Sequence, residues 1–262
     1  MKHEWTAQRI AVGIWAAAFA ALLVALTNPI SLGVIRLFIA TAVPALWISS
    51  IVLLRRQRMI ATAIALAGLL LLVFLALPGR HPDVKRLREV YVEELRTYQD
   101  SRYVWGGEHR RGIDCSGLVR RALINANMQL ALHTLNPRAM RTALDVWWHD
   151  CSAKALGEQY RGFTLPVFKT SSANTADELE LQPGDLGVTS SGIHVLAYLG
   201  DGEWIQAEPT LLKVVVLKVP SQNGWMNQPL RIMRWRIMAD SEGEPRGRGY
   251  GSPEAGSPSP HR

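Results

Sequence analysis

The chain has 262 residues, 48% of them hydrophobic and only 19% charged, below the roughly 25% charge of globular proteins. Its net charge is +7, but residues 1–79 carry six Lys or Arg against one acid and the remainder carries 23 against 21. No folded part therefore concentrates the positive charge that a nucleic-acid-binding domain uses. Two cysteines exclude a disulfide scaffold, and the apolar content excludes a wholly disordered chain.

Three apolar stretches come first, about Ile10 to Thr27, Leu37 to Leu54 and Met59 to Leu77, none with a charge. Eighteen helical residues rise roughly 27 Å, close to the thickness of a hydrocarbon core. Core helices of that length carry polar stripes and these do not, so residues 1–79 read as a membrane anchor with three transmembrane helices. A cleaved leader is disfavoured because the small-residue pattern around Ala25 to Asn28 is weak and two further spans follow. Arg55-Arg56-Gln57-Arg58 is the densest basic connection and is expected inside the cell. The uncharged connection Thr27 to Leu32, with Arg36 near its edge, then lies outside, as does everything after Leu77. Arg80, Lys85, Arg86 and Arg88 pull the other way, but charges in long translocated segments count for less.

The rest of the chain reads as α+β. Residues 83–99 place Val84, Leu87, Val90, Tyr91 and Leu95 at helical spacing. Residues 114–132 form a second predicted helix capped by Asp114, and residues 137–160 a third. From Asp185 the runs LGVTSSGIHVLAYLG, EWIQAEP, LKVVVLKV and PLRIMRWRIM are short and β-rich, broken by Gly, Asp, Pro or Asn. Helices followed by strands predict helices packed on an antiparallel sheet over residues 80–239. Residues 240–262, rich in Gly, Pro, Ser and charge, are expected to be a disordered tail.

Two stretches carry chemistry. In Tyr103 to Leu118, a glycine-punctuated loop delivers Asp114-Cys115-Ser116-Gly117 to the start of an apolar helix. A thiol in the first helical turn feels the positive end of the dipole, which predicts a lowered pKa. In Gln182 to Glu208, His194 stands early in an apolar strand and Gly200-Asp201-Gly202 marks a hairpin. With a three-residue loop, Leu199 to Asp201, His194 lies opposite Gln206 on one face. A strict two-residue turn at Asp201-Gly202 puts them on opposite faces. Taken singly, Cys115 and His194 read as buried core residues.

Together the stretches resemble the NlpC/P60 family of papain-like cysteine peptidases, which cut bacterial cell-wall peptides. YVWGG, G-I-DCSGLV, QPGDL, HVLAYLG and WIQA stand in the family's order over about Val84 to Met238. The resemblance implies Cys115 as nucleophile, His194 as base and Gln206 as the third, orienting residue, with Glu208 second in rank. It also implies Tyr103 as an oxyanion or substrate contact, and Asp114 and Ser116 as binders of the free amino end of a stem peptide cut between D-glutamate and a diamino acid. Peptidoglycan stem peptides and a lipid bilayer are the expected partners, with no cofactor, metal or nucleic acid. A thiol amidase or acyltransferase of the same fold, or a non-catalytic wall-binding scaffold, is the alternative. The gap from Cys115 to His194 exceeds the family's pattern. The excess is placed between Asn127 and Leu181, as an extra helix burying Trp147 and Trp148 or, if exposed, as a lid or a glycan-binding surface.

Overall fold

Three apolar helices open the chain in the computed structural model, which describes residues 2–239. They are α1 (Lys2–Thr27), α2 (Gly33–Leu53) and α3 (Arg58–Ala76), and each is long and apolar enough to cross a membrane. Their contacts show how polar groups survive among apolar ones. The Trp15 indole N–H, on α1, donates to the Leu46 carbonyl (3.2 Å) and Ser50 Oγ (3.1 Å) of α2. Trp47 donates from α2 to the Ile64 carbonyl of α3 (3.1 Å). Its ring lies over Gly68, where any Cβ would collide with it. An indole N–H turned in between apolar helices finds such an acceptor when it is withdrawn from water. The second helix starts four residues before its apolar run, so Arg36 falls in its first turn, 2% exposed.

After Pro78-Gly79 the chain folds into helices packed on an antiparallel sheet. Helix α4 (Val84–Arg96) buries the predicted stripe Leu87, Val90, Tyr91 and Leu95 and is capped by Asp83, which accepts from Arg86 N–H at 3.2 Å. A two-stranded hairpin, β1 (Glu108–His109) and β2 (Gly112–Ile113), precedes α5 (Cys115–Thr134). The predicted third helix is two. Helix α6 (Pro137–Trp148) starts with Asn136 as cap and Pro137 in its first position, and α7 (Ala153–Gly157) has Ser152 as cap. Between them Asp150 binds Arg120 on α5 at 2.6 Å, and Cys151 is buried and unpaired. Trp147 is half-buried and Trp148 exposed, so this helix does not bury both indoles, and it packs on α5 and the end of α3.

Six strands follow in spatial order β3 (Thr164–Thr170), β8 (Leu230–Trp235), β4 (Leu186–Thr189), β5 (Val195–Gly200), β6 (Glu203–Glu208), β7 (Lys213–Lys218), all neighbours antiparallel. The sequence reading missed β3. It pairs only with β8 and shifts register at Pro166, where proline is tolerated because the strand is an edge. One sheet face, with Val195, Ala197, Ile205, Met233 and Trp235, packs on α4 and α5. The other, with Leu196, Tyr198, Trp204 and Ile232, is covered by the segments around Leu181 and Met226. Asp185 of the PGDL run is fully buried and pairs through both oxygens with Arg234 at 2.7 Å, which fixes β4 to β8. The expected tail at 240–262 lies outside the described residues.

Candidate active site

The site forms where the first turn of α5 meets the start of β5. Asp114 caps α5. Its carboxylate accepts from Gly117 N–H (2.6 Å), Ser116 Oγ–H (3.1 Å) and Gly106 N–H (2.8 Å). Three donors tie it to its own helix and to the glycine loop, which closes on the cap because a Cβ at Gly117 would strike the Gly107 carbonyl. Cys115 is the first helical residue and 9% exposed. The Val195 amide of β5 hydrogen-bonds its sulfur, which brings the thiol beside the residue that follows His194.

His194 is held from several sides. Its backbone N–H donates to Thr189 Oγ1 (3.1 Å), and its carbonyl accepts from the Thr189 amide (3.0 Å). Its ring stacks on Trp225, centroids 4.3 Å apart and planes at 26°. Nε2 meets Gln206 Oε1 at 2.7 Å. Gln206 is fully buried, and its Nε2 donates to Asn223 Oδ1 (3.0 Å), an oxygen that also accepts from Trp225 N–H (3.0 Å). Satisfying this network places the Gln206 oxygen toward the imidazole and the ring proton on Nε2. Nδ1 is then the nitrogen with a free lone pair.

Glu208 does not touch the imidazole. It is buried, accepts from Trp225 Nε1 (2.9 Å) and Thr210 Oγ1 (2.6 Å), and so anchors the indole that backs His194. The register puts both Gln206 and Glu208 on the face of His194 and, continued from Tyr198 and Trp204, sets Glu208 opposite it, but Glu208 is held by Trp225 and Thr210. Gly200 pairs with Glu203 around a two-residue turn, but the extra residue Leu199 makes a bulge, and Tyr198 then pairs with Trp204. The expected pairing of Tyr198 with Gly202 is therefore corrected by two positions. The turn is the one that would have separated His194 from Gln206. The bulge restores the shared face, with Gln206 on the diagonal.

Electrostatics overturn the lowered thiol pKa. Burial, and then the neighbouring Asp114 carboxylate, push Cys115 up to about 12. The helix dipole does not offset the loss of water around a thiolate. Burial likewise pushes His194 down to about 4, so thiol and imidazole rest uncharged. Asp114 is raised by burial against its three donors. Tyr103 is half-buried and pushed up to about 12, first by burial, then by Cys115, which becomes a thiolate in the same alkaline range, and by the Asp114 and Glu208 carboxylates. Its amide donates to the Leu212 carbonyl (2.8 Å). All six predicted residues are thus brought to one end of α5 and the sheet. Thr189, Asn223 and Trp225 were missed: the last two stand in PSQNGWMNQP, a turn segment without strand or helix periodicity. Among the described residues no group of three or more His, Cys, Asp or Glu stands ready for a metal.

Residues 100–234 match the model of the NlpC/P60 family. Among solved structures the chain is similar to NlpC1 from Trichomonas vaginalis, at 16% identity over 60% of this chain and 46% of that one, TM-score 0.37. It is similar to an NlpC/P60 family protein from Bacillus cereus, at 18% over 60% and 41%, TM-score 0.37. It is also similar to the peptidoglycan hydrolase RipB from Mycobacterium tuberculosis, at 22% over 56% and 65%, TM-score 0.34. The chain thus spans less than half of the first two. Among curated proteins, none matches it.

Proposed function

The chain belongs to the NlpC/P60 family, and we propose that it is a membrane-anchored cysteine peptidase that hydrolyses amide bonds in peptidoglycan stem peptides. The observation that carries this reading is the buried set at the start of β5. Cys115 Sγ lies under the Val195 amide, and the adjacent His194 is oriented through Nε2 by Gln206 at 2.7 Å. In this reading Cys115 Sγ attacks the amide carbonyl as its proton passes to His194 Nδ1, which delivers it to the departing amine. Water then cleaves the thioester, its proton returning through His194 to sulfur. Gln206 fixes the ring and its tautomer, in the place where a charged partner would also stabilise imidazolium. The backbone N–H of Cys115, in the first helical turn, and the Tyr103 hydroxyl are the donors offered to the oxyanion. Asp114 keeps one lone-pair direction beyond its three donors, and with Ser116 it is the proposed seat of a peptide amino end. Cleavage between D-glutamate and a diamino acid follows from that assignment.

In the same reading residues 1–79 anchor residues 80–239 to the outer face of the cell membrane. Two contacts support the side. The folded part packs against the α1–α2 turn and against the end of α3. The Arg55-Arg56-Gln57-Arg58 connection lies at the opposite ends of the helices, where basic residues favour the inside.

The test uses the full chain in lipid nanodiscs, wild type and Cys115→Ala, incubated with purified peptidoglycan. Mass spectrometry is expected to find peptide fragments from the wild type alone, with new termini at D-glutamate and a diamino acid. Release by neither, or equal release by both, would overturn the peptidase reading. Release with other termini would overturn the bond assignment.

A further inference from the structure

The turn between α1 and α2 is built into the segment that leads to Cys115. The Glu108 N–H donates to the Pro29 carbonyl (2.8 Å), and the Ser31 N–H donates to the Gly106 carbonyl (3.1 Å). Ile30 bridges Gly107 in antiparallel register between them. The same two glycines hold the helix cap. Gly106 N–H donates to Asp114 Oδ2 (2.8 Å), and the Gly107 carbonyl accepts from Asp114 N–H (3.1 Å). One hydrogen bond therefore separates the helical turn from the glycines, and one more separates the glycines from the residue before Cys115.

A second link runs through side chains. Arg36, in the first turn of α2, reaches Glu108 Oε2 at 2.9 Å and hydrogen-bonds the Trp147 carbonyl. Glu108 Oε1 meets Arg120 on α5 at 2.6 Å, and Arg120 holds Asp150 (2.6 Å) and the Val146 carbonyl (3.0 Å). Both arginines and Glu108 are buried. A guanidinium at the head of an apolar helix is tolerated where it is paired and hydrogen-bonded. Here the pairing partner sits on β1, two residues past Gly106, and the next partner sits on the helix that Cys115 begins.

We propose that the α1–α2 turn is part of the frame that sets the nucleophile, and that Arg36 is a positioning residue acting on Cys115 through Glu108 and the Gly106-Gly107 segment. The proposal rests on the reading of Cys115 as nucleophile. The physical reason is that Cys115 takes its place from its cap, and the cap takes two of its bonds from Gly106 and Gly107, of which Gly106 also accepts from Ser31 in the turn while the next residue, Glu108, donates to Pro29. Withdrawing Arg36 frees β1 to shift. A shift near 1 Å in a reacting group is worth up to about 100-fold in rate. Asp114 lies on this route and is also the proposed seat of the peptide amino end, so the loss is read in kcat/KM, while the Cys115 alkylation rate reports the nucleophile by itself.

The experiment uses the full chain in nanodiscs on a Cys151→Ser background, so that alkylation reports Cys115 alone. Four proteins are compared: the background, Arg36→Met, Arg36→Lys, and Arg36→Met with Glu108→Gln. The last removes Arg36 together with the buried charge it pairs with, leaving Arg120 on Asp150, and keeps the test open should Arg36→Met fail to fold. Two readouts are taken on protein shown folded by its melting transition: the rate of Cys115 alkylation against pH, and kcat and KM on a stem peptide. The expected result is a displaced alkylation profile, with kcat/KM lowered roughly 10- to 100-fold in the two Met variants. Arg36→Lys is expected to recover part of both. A folded double variant with the background's alkylation profile overturns the proposal. An inactive background with a profile that shifts on substitution overturns the peptidase reading and supports the positioning.

Discussion

His194 titrates in a setting that disfavours its charged form. Burial pushes the imidazole down to about 4, and the Gln206 oxygen and the Glu208 charge only partly resist. As a base it works while unprotonated, so cleavage is expected to persist from neutral pH to about pH 5 and to fall through about pH 4. A kcat/KM profile measures this, and an acid limb near 6.5 would contradict the dry setting. Stability moves with the same group. The unfolded imidazole titrates near 6.5, so below that value the unfolded chain takes up a proton that the folded site refuses. The folded state is therefore fully stabilised above about 6.5 and loses up to about 3 kcal/mol as pH falls through 4. Cys115 sets the alkaline side with the opposite sign. Its folded value near 12 stands above an ordinary thiol, so its contribution is complete below about 9 and is lost as pH rises toward 12. Cys115, His194 and Gln206 were legible because their residue types stand in short motifs at the start of a helix and along a hairpin. Thr189, Asn223 and Trp225 were not, because the site uses a hydroxyl, an amide and an indole from turns whose sequence has no period. The thiol pKa was misjudged because the dipole can be read from Asp114-Cys115 while the extent of burial cannot.

The hairpin β5–β6 shows how an element, rather than a residue, makes the dyad's partner available. Asp201 and Gly202 both have positive φ, 52° and 74°, the geometry of a tight turn between antiparallel strands. The bulge at Leu199 then decides which face His194 shares. Gly202 is needed for the turn and not for the bulge. A Cβ there would sit 3.0 Å from Val219 Cγ2 and 3.1 Å from Glu178 Oε1, on a backbone that L side chains avoid. Gly202→Ala is therefore expected to lower stability by about 1–2 kcal/mol, seen as a lower melting temperature with kcat kept. An unchanged melting temperature would show that the turn is not strained. The apolar helices, α4 and the strands from Asp185 onward were legible from period and breakers alone. The missed element, β3, carries Pro166 and alternates poorly because it is an edge strand with one neighbour. The break at His149-Asp150-Cys151 was hidden for a tertiary reason: Asp150 is taken by Arg120, thirty residues earlier.

At the scale of the molecule the apolar helices meet the folded part at two joints of different kind. The first is the α1–α2 turn against β1, hydrogen-bonded to the loop that carries the Asp114 cap. The second is at the end of α3, where Arg141 of α6 donates to the carbonyls of Leu75 (2.6 Å) and Leu77 (2.7 Å). A cation at a helix C-terminus satisfies carbonyls that have no helical partner and complements the dipole. Gly79 closes the same joint, since a Cβ there would strike Arg138. Arg138 and Arg141 stand in the first half of α6, away from its last turn, where the Val146 and Trp147 carbonyls meet Arg120 and Arg36. The two joints are therefore separable by mutation. Arg141→Ala in the full chain is expected to speed limited proteolysis between Leu77 and Asp83, while kcat/KM and the Cys115 alkylation profile stay at their wild-type values. A loss of kcat/KM in Arg141→Ala equal to that of Arg36→Met would mean that any loosening of the helices reaches the nucleophile. The specific route from Pro29 through Gly106 to Asp114 would then lose its meaning. Unchanged proteolysis would mean instead that Asn136, which donates to the Arg80 carbonyl at 3.0 Å, is enough to hold the connection.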